Sequence, residues 1–229
     1  MSKTYAAGIV GCGDFLRWQV GGLKQSRRIA VTSLFDTARP RAEKFAAELG
    51  GKAVDSVDAI LDDPSIDIVC LFVPPHIRKD MLLRAARNGK HIATTKPLGP
   101  NAGDCAAMVH AVETAGVQCG VFYGRTGSPL PETYKQIFDG GQIGRLALYK
   151  QDWLHHYPEW NDWALDPGKN GGPFMDAMIH NQNLARYLMG RPATQCAYFG
   201  DSHAHRLPCA DTEFLKLDFE GNGSAHLFI

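Results

Sequence analysis

The chain holds 229 residues, long enough to bury one large core or two modest ones, and two is the expectation. Its 24 basic and 24 acidic residues balance without a dense Lys/Arg stripe, which excludes the electrostatic footprint of a nucleic-acid binder and leaves small molecules as partners. Six cysteines (Cys12, Cys70, Cys105, Cys119, Cys196 and Cys209) stand far apart with no Cys-x-x-Cys, so a disulfide framework and a metal site are not expected, and reduced thiols in a cytoplasmic protein are.

No stretch approaches the ~20 apolar residues that a membrane-spanning helix needs, and the small-residue run before Cys12 is too short for a signal peptide. The chain is therefore expected to be soluble.

In chain order, a small apolar run ending Gly8-Ile9-Val10 breaks into Gly11-Cys12-Gly13-Asp14-Phe15-Leu16 and then a helical pattern. This is the form of a phosphate-cradling turn: a buried strand, glycines that let backbone approach a pyrophosphate, and a helix N-terminus with free N–H groups. The third position of the dinucleotide fingerprint asks for Gly or Ala and holds Leu16. A second apolar run, Val31–Phe35, ends at Asp36, spaced as a ribose-binding carboxylate should be.

Pro40 to Leu49 then reads as a helix closed by Gly50-Gly51, Ala53-Val54 as a short strand, and Ser56 as the cap of a brief helix. Ile66 to Val73 is a nearly continuous apolar strand stopped by Pro74-Pro75. A helix through Met81 and Ala86 ends at Asn88-Gly89, and a strand over residues 91–94, a helix over 101–115 and a strand over 117–123 follow. This alternation predicts an α/β fold with a doubly wound parallel sheet over residues 1–123.

Residues 124–229 change grammar. A helix over 132–138 leads to a strand over 146–153, an aromatic loop and a helix from about Phe174 to Met189. Strands over 195–199, 213–219 and 225–229 then succeed one another without helices, which predicts an α+β domain with a mainly antiparallel sheet. Asn222-Gly223-Ser224 spells a glycosylation acceptor but reads as a hairpin turn.

Two constellations carry candidate chemistry. Thr95-Lys96-Pro97 follows the fifth strand, at the carboxyl edge where open parallel sheets bind ligands, and the proline keeps Lys96 out of helical geometry. Gly171-Gly172 precedes a helix on which Asp176 and His180 stand one turn apart, so a carboxylate can orient an imidazole for proton exchange. Trp153, His155, His156, Tyr157, Trp160 and Trp163 crowd the segment before that helix, offering apolar faces to C–H groups and polar tips to hydroxyls.

Together, Gly11-Cys12-Gly13, Asp36, Pro74-Pro75, Lys96-Pro97, and Gly171-Gly172 with Asp176 and His180 resemble, along nearly the whole chain, the glucose-fructose oxidoreductase and inositol dehydrogenase family. The resemblance implies an NAD(P)-dependent enzyme with a Rossmann domain and a sheet-based second domain. It implies that Lys96, Asp176 and His180 act at the reacting carbinol of a sugar or cyclic polyol. It further implies a cofactor path along Gly11, Cys12, Gly13, Asp14, Phe15, Asp36, Arg41, Val73, Pro74, Thr95, Lys96 and Arg125, and substrate contacts from Tyr123, Trp153, Trp163 and Asn181.

Asp36 favours NAD over NADP, although Arg39 and Arg41 could neutralise a 2′-phosphate. Thr95 replaces the family's glutamate, Arg78 a common histidine, and Gly124 precedes Arg125 where asparagine is frequent; all three are expected to affect cofactor seating. An NAD-using glycoside hydrolase and a non-catalytic dinucleotide sensor are the alternatives. Family members run further than this sequence, so Ala225 to Ile229 is expected to leave a pairing edge or apolar face covered by self-association into a homo-oligomer.

Overall fold

A computed structural model describes residues 3–154, 163, 166–204 and 208–229. His155, His156, Tyr157 and Trp160 of the aromatic segment lie outside the described residues. The chain divides into two compact units, Met1–Phe122 and Tyr123–Ile229.

The first unit runs β1 (Tyr5–Val10), α1 (Asp14–Gln25), β2 (Ile29–Phe35), α2 (Arg39–Leu49), β3 (Lys52–Ala53), α3 (Asp58–Leu61), β4 (Ile68–Leu71), a short 3₁₀ turn Pro75–Ile77, α4 (Arg78–Arg87), β5 (His91–Thr95), α5 (Ala102–Ala115) and β6 (Cys119–Phe122). Its six strands are all parallel in the order β3-β2-β1-β4-β5-β6, the doubly wound arrangement whose order reverses beside β1. Alternation along the strands feeds two cores. Val10, Val69 and Leu71 pack with Ile60, Leu82 and Met108 on one face. Ile9 and Cys70 pack with Leu16, Val31, Leu34 and Phe45 on the other.

Local chemistry sets the helix ends. Gly50 closes α2 at φ +80°, and Asn101 caps α5 by accepting the Asp104 N–H. Ser56 Oγ accepts the Ala59 N–H at the start of α3. The apolar run from Ile66 to Val73 forms a shorter ladder than expected, since pairing stops at Leu71 ahead of the two prolines.

The second unit runs α6 (Pro129–Asp139), β7 (Leu148–Asp152), α7 (Pro167–Asn170), a π-helical turn Phe174–Met178 continuing into α8 (Ile179–Met189), then β8 (Ala193–Asp201), β9 (Thr212–Phe219) and β10 (Gly223–Phe228). The short α7 had no strong apolar period to announce it; Asp166 caps it through the Gly168 N–H, and Gly171 at φ +85° ends it.

The sheet order is β7-β10-β9-β8, antiparallel among the last three strands and parallel between β7 and β10. The expectation that the last run leaves a pairing edge is therefore corrected. β10 lies inside the sheet, hydrogen-bonded to β7 and β9, and the edges are β7 and β8. The β9–β10 turn is carried by Gly221 and Asn222, both at positive φ, one residue earlier than the Asn222-Gly223 reading. One sheet face packs Leu215, Leu217, Phe219, Ala225 and Leu227 against Phe174, Met178, Ala185 and Met189. At ~1.5–3 kcal/mol for each fully buried large apolar side chain, that layer anchors the helix carrying Asp176 and His180.

Candidate active site

In the first unit the chemistry gathers at the carboxyl ends of β1, β2, β4 and β5. Gly11 has φ +94°, and a Cβ there would lie 2.3 Å from Phe72 O, so the turn itself demands glycine. Gly13 is different. Its φ is −91°, and a Cβ would meet no neighbouring atom within 4 Å, so the fold does not require glycine at this position. Open space over the N-terminus of a 12-residue helix suits the close approach of a pyrophosphate.

Leu16, the departure from the fingerprint, is fully buried in the core between α1 and the sheet, so it fills space that a smaller residue would leave to closer helix–strand packing. Asp14 is exposed and pairs with Arg17.

Asp36 binds the Gly-rich turn directly: one carboxylate oxygen accepts the Cys12 N–H at 2.8 Å and the other the Ala38 N–H at 2.8 Å. A carboxylate has about four lone-pair sites, so two remain for a ribose diol. Burial, followed by the Asp36 charge, pushes the Cys12 thiol up to about 12, which leaves it un-ionised. Arg39 is committed to Glu43 and Asp55. Arg41 is exposed on α2.

Val73 and Pro74 lead out of β4, and Thr95 and the half-buried Lys96 lead out of β5, with a cis peptide between Lys96 and Pro97. The two exits are joined by Arg78, which donates to Val73 O and to Thr95 Oγ1. Arg78, expected to affect cofactor seating, has its side chain fully buried beneath the loops. A cation in the first turn of a helix opposes the helix dipole, and that sequence signal marks Arg78 as unusual.

Phe15 was expected at the cofactor, but its aromatic neighbours were not. Its ring stands 4.9 Å from Phe72 and 5.5 Å from Phe122, building an aromatic wall at the carboxyl edge of the sheet. The position of Phe72 at the end of an apolar run was the readable signal for it.

In the second unit, Asp176 is buried on the π turn and His180 is half-buried on the first turn of α8. Residues four apart on an α-helix are offset by about 40°. A π turn bonds residue i to i+5 and advances less per residue, so it brings this pair closer to one line; such turns recur at functional sites.

The start of the turn is held by Glu213, whose Oε1 accepts the Phe174 N–H at 3.2 Å while Oε2 accepts the Tyr198 hydroxyl at 3.1 Å. Burial raises the Glu213 carboxyl above its ordinary range. Burial and then the Glu213 charge lift Tyr198 to about 12. Both were absent from the sequence reading, because one lies on β9 and the other on β8.

The Tyr123 ring stands edge-on to His180 at 6.2 Å, and the Arg125 guanidinium lies 4.7 Å over the Trp153 ring. Trp163 is half-buried. Asn181 is fully buried and donates to Met178 Sδ at 3.0 Å. Among the described residues no group of His, Cys, Asp and Glu is arranged to hold a metal ion, and no helix is long and apolar enough to cross a membrane.

A doubly wound sheet with an open glycine over a helix N-terminus and an acid closing β2 defines a dinucleotide-binding protein of the α/β class. The chain belongs to the GFO/IDH/MocA oxidoreductase family: residues 5–123 match the family's NAD-binding Rossmann fold and residues 132–229 its C-terminal domain.

Among its relatives is the scyllo-inositol 2-dehydrogenase (NAD(+)) of Bacillus subtilis (strain 168), 34% identical over 170 residues, covering 72% of this chain and 48% of the relative. Another is the 1,5-anhydro-D-fructose reductase of Ensifer adhaerens, 28% identical, covering 80% of this chain and 56% of the relative. This chain thus spans about half the length of both. The WlbA dehydrogenase of Bordetella pertussis, solved with NADH and UDP-GlcNAcA, superposes with a TM-score of 0.89 at 21% identity, over 100% of this chain and 67% of that one, and so shows the same fold.

Proposed function

We propose that this chain is an NAD-dependent dehydrogenase that moves a hydride between the nicotinamide and a secondary hydroxyl of a sugar or cyclic polyol. The observation that carries the reading is the buried Asp176 on a π turn that runs directly into the first turn of α8, where His180 stands, with Glu213 holding the start of the turn. The first unit is the cofactor domain in this reading, with Gly11, Gly13, Asp36, Val73, Pro74 and Thr95 as the residues that would hold the dinucleotide. Asp36, and the engagement of Arg39 with two carboxylates, favour NAD over NADP.

When bound, the nicotinamide supplies the hydride acceptor. The chain's own residues handle the proton. His180 takes the proton from the hydroxyl oxygen as the hydride leaves the carbon that bears it, Asp176 orients the imidazole, and Lys96 stabilises the developing alkoxide. Tyr123, Trp153 and Trp163 supply ring faces for C–H groups. The name of the Bacillus subtilis relative makes scyllo-inositol the first substrate to try. A cytoplasmic setting fits cysteines that are all free in the described structure.

Self-association through the second sheet belongs to the same reading. Phe199, Phe214 and Phe228 form a cross-strand row on the face away from the helices, with Phe199 66% exposed. A clean monomer across a wide concentration range in sedimentation would contradict this.

The test of the activity is a panel of cyclic polyols and sugars followed at the nicotinamide absorbance. Hydride transfer requires reduced cofactor in proportion to oxidised alcohol. Product without reduced cofactor would favour an NAD-using hydrolase, and binding without turnover a sensor.

A further inference from the structure

We propose that Arg78 is a positioning residue that fixes the backbone on both sides of Lys96; the inference rests on the reading of Lys96 as the cation at the reacting hydroxyl. Arg78 is the first residue of α4 and is fully buried. Its Nη1 donates to Thr95 O at 2.8 Å, to Leu98 O at 3.0 Å and to Pro97 O. Its Nη2 donates to Val73 O at 2.5 Å and to Thr95 Oγ1 at 2.6 Å. The acceptors therefore stand immediately before Lys96 and immediately after it, and a further one lies at the exit of the neighbouring strand β4.

The physical cost shows that this is more than filling of space. Among the described residues no carboxylate pairs with Arg78, and Nε has no hydrogen-bond partner. Burying a cation without a counter-ion is expensive, and a Leu or Met would fill the volume without that penalty. The geometry offsets the cost through a planar fork whose terminal amino groups reach five acceptors in two loops. A lysine ammonium, with three donors on a flexible stem, cannot span them. Thr95 accepts from Arg78 at both its carbonyl and its hydroxyl, so the residue before Lys96 is held by backbone and side chain together. The result is a loop pair tied from below, with the Lys96 backbone held relative to β4.

The experiment compares the full chain with Arg78→Lys, Thr95→Val and Lys96→Met, reading amide hydrogen exchange peptide by peptide, NAD affinity and kcat. Arg78→Lys should speed exchange over residues 94–99 while leaving β1 and β2 protected. It should lower kcat by up to about 10²-fold, the penalty of a misplaced catalytic group, with a much smaller loss of NAD affinity. Thr95→Val removes one acceptor and keeps the branched shape, so exchange over the same peptide should rise by less.

Parent-like exchange and kcat in a folded Arg78→Lys chain would overturn the inference. If that variant does not fold, parent-like exchange over 94–99 in Thr95→Val overturns it instead. Lys96→Met turning over at the parent rate would sink the functional reading, and the exchange data would then decide the clamp by themselves.

Discussion

Replacing Gly13 by alanine separates what the fold needs from what a ligand needs. The residue has φ −91° and ψ −158°, which alanine adopts freely, and the added methyl meets no neighbouring atom within 4 Å. Reduced unfolded-state entropy favours alanine by about 0.4–1 kcal/mol. Gly13 is also the N-cap of α1, where alanine is worse than glycine by a similar amount, about 1 kcal/mol at most. The two terms nearly cancel, so Gly13→Ala should unfold in urea within about 1 kcal/mol of the parent.

Gly11→Ala is the control. Its φ of +94° and the 2.3 Å approach to Phe72 O put the new methyl against backbone that cannot yield. The conformation alone costs about 1–3 kcal/mol, and the clash adds to it. In NAD titrations by calorimetry, Gly13→Ala should bind at least about tenfold more weakly, a loss of ~1.4 kcal/mol, because the methyl occupies the approach of the pyrophosphate. A Gly13→Ala chain that binds NAD with parent affinity would refute the reasoning.

Two further outcomes follow from carboxylates. Asp36→Ser removes the acceptors of the Cys12 and Ala38 N–H groups, so it should weaken NAD, admit NADP and cost about 1–3 kcal/mol of stability; unchanged NAD affinity with no gain for NADP would remove Asp36 from the site. Glu213 is buried, with a pKa raised above the usual 4.5, so the folded chain keeps a proton that the unfolded chain has released, and stability falls as pH climbs from 4.5 through the raised value. Glu213→Gln should flatten that slope in urea titrations taken at successive pH values, whereas parallel curves for parent and variant would show that the burial carries no linkage.

The first unit was largely legible because its signals are local. Glycines with positive φ, an acid at the end of β2, the cap at Ser56 and strands buried on both faces all follow from short-range chemistry. What escaped was non-local. The parallel pairing of β7 with β10 joins residues some 75 apart in sequence, and nothing in either segment names its partner. The ending Leu227-Phe228-Ile229 looks like an open edge until β7 is seen beside it.

The π turn is invisible to a period count over a single turn, and Glu213 gains meaning only once β9 lies behind Phe174. Of the proposed site, Lys96, Asp176 and His180 are named from sequence and Arg78 only as a departure, its role as a tie between two loops unread, whereas Glu213 is not named at all. The carbonyls around Arg78 come from two separate loops and leave no pattern along the chain.

The central claim concerns proton transfer at His180, and the direct measurement is kcat for His180→Ala, with NAD affinity taken on the same protein. A group that accepts the hydroxyl proton in the transition state contributes about 10²–10⁴-fold, so kcat should fall by that factor while the NAD dissociation constant stays near the parent value. A His180→Ala chain that turns over a polyol at the parent rate would contradict the account.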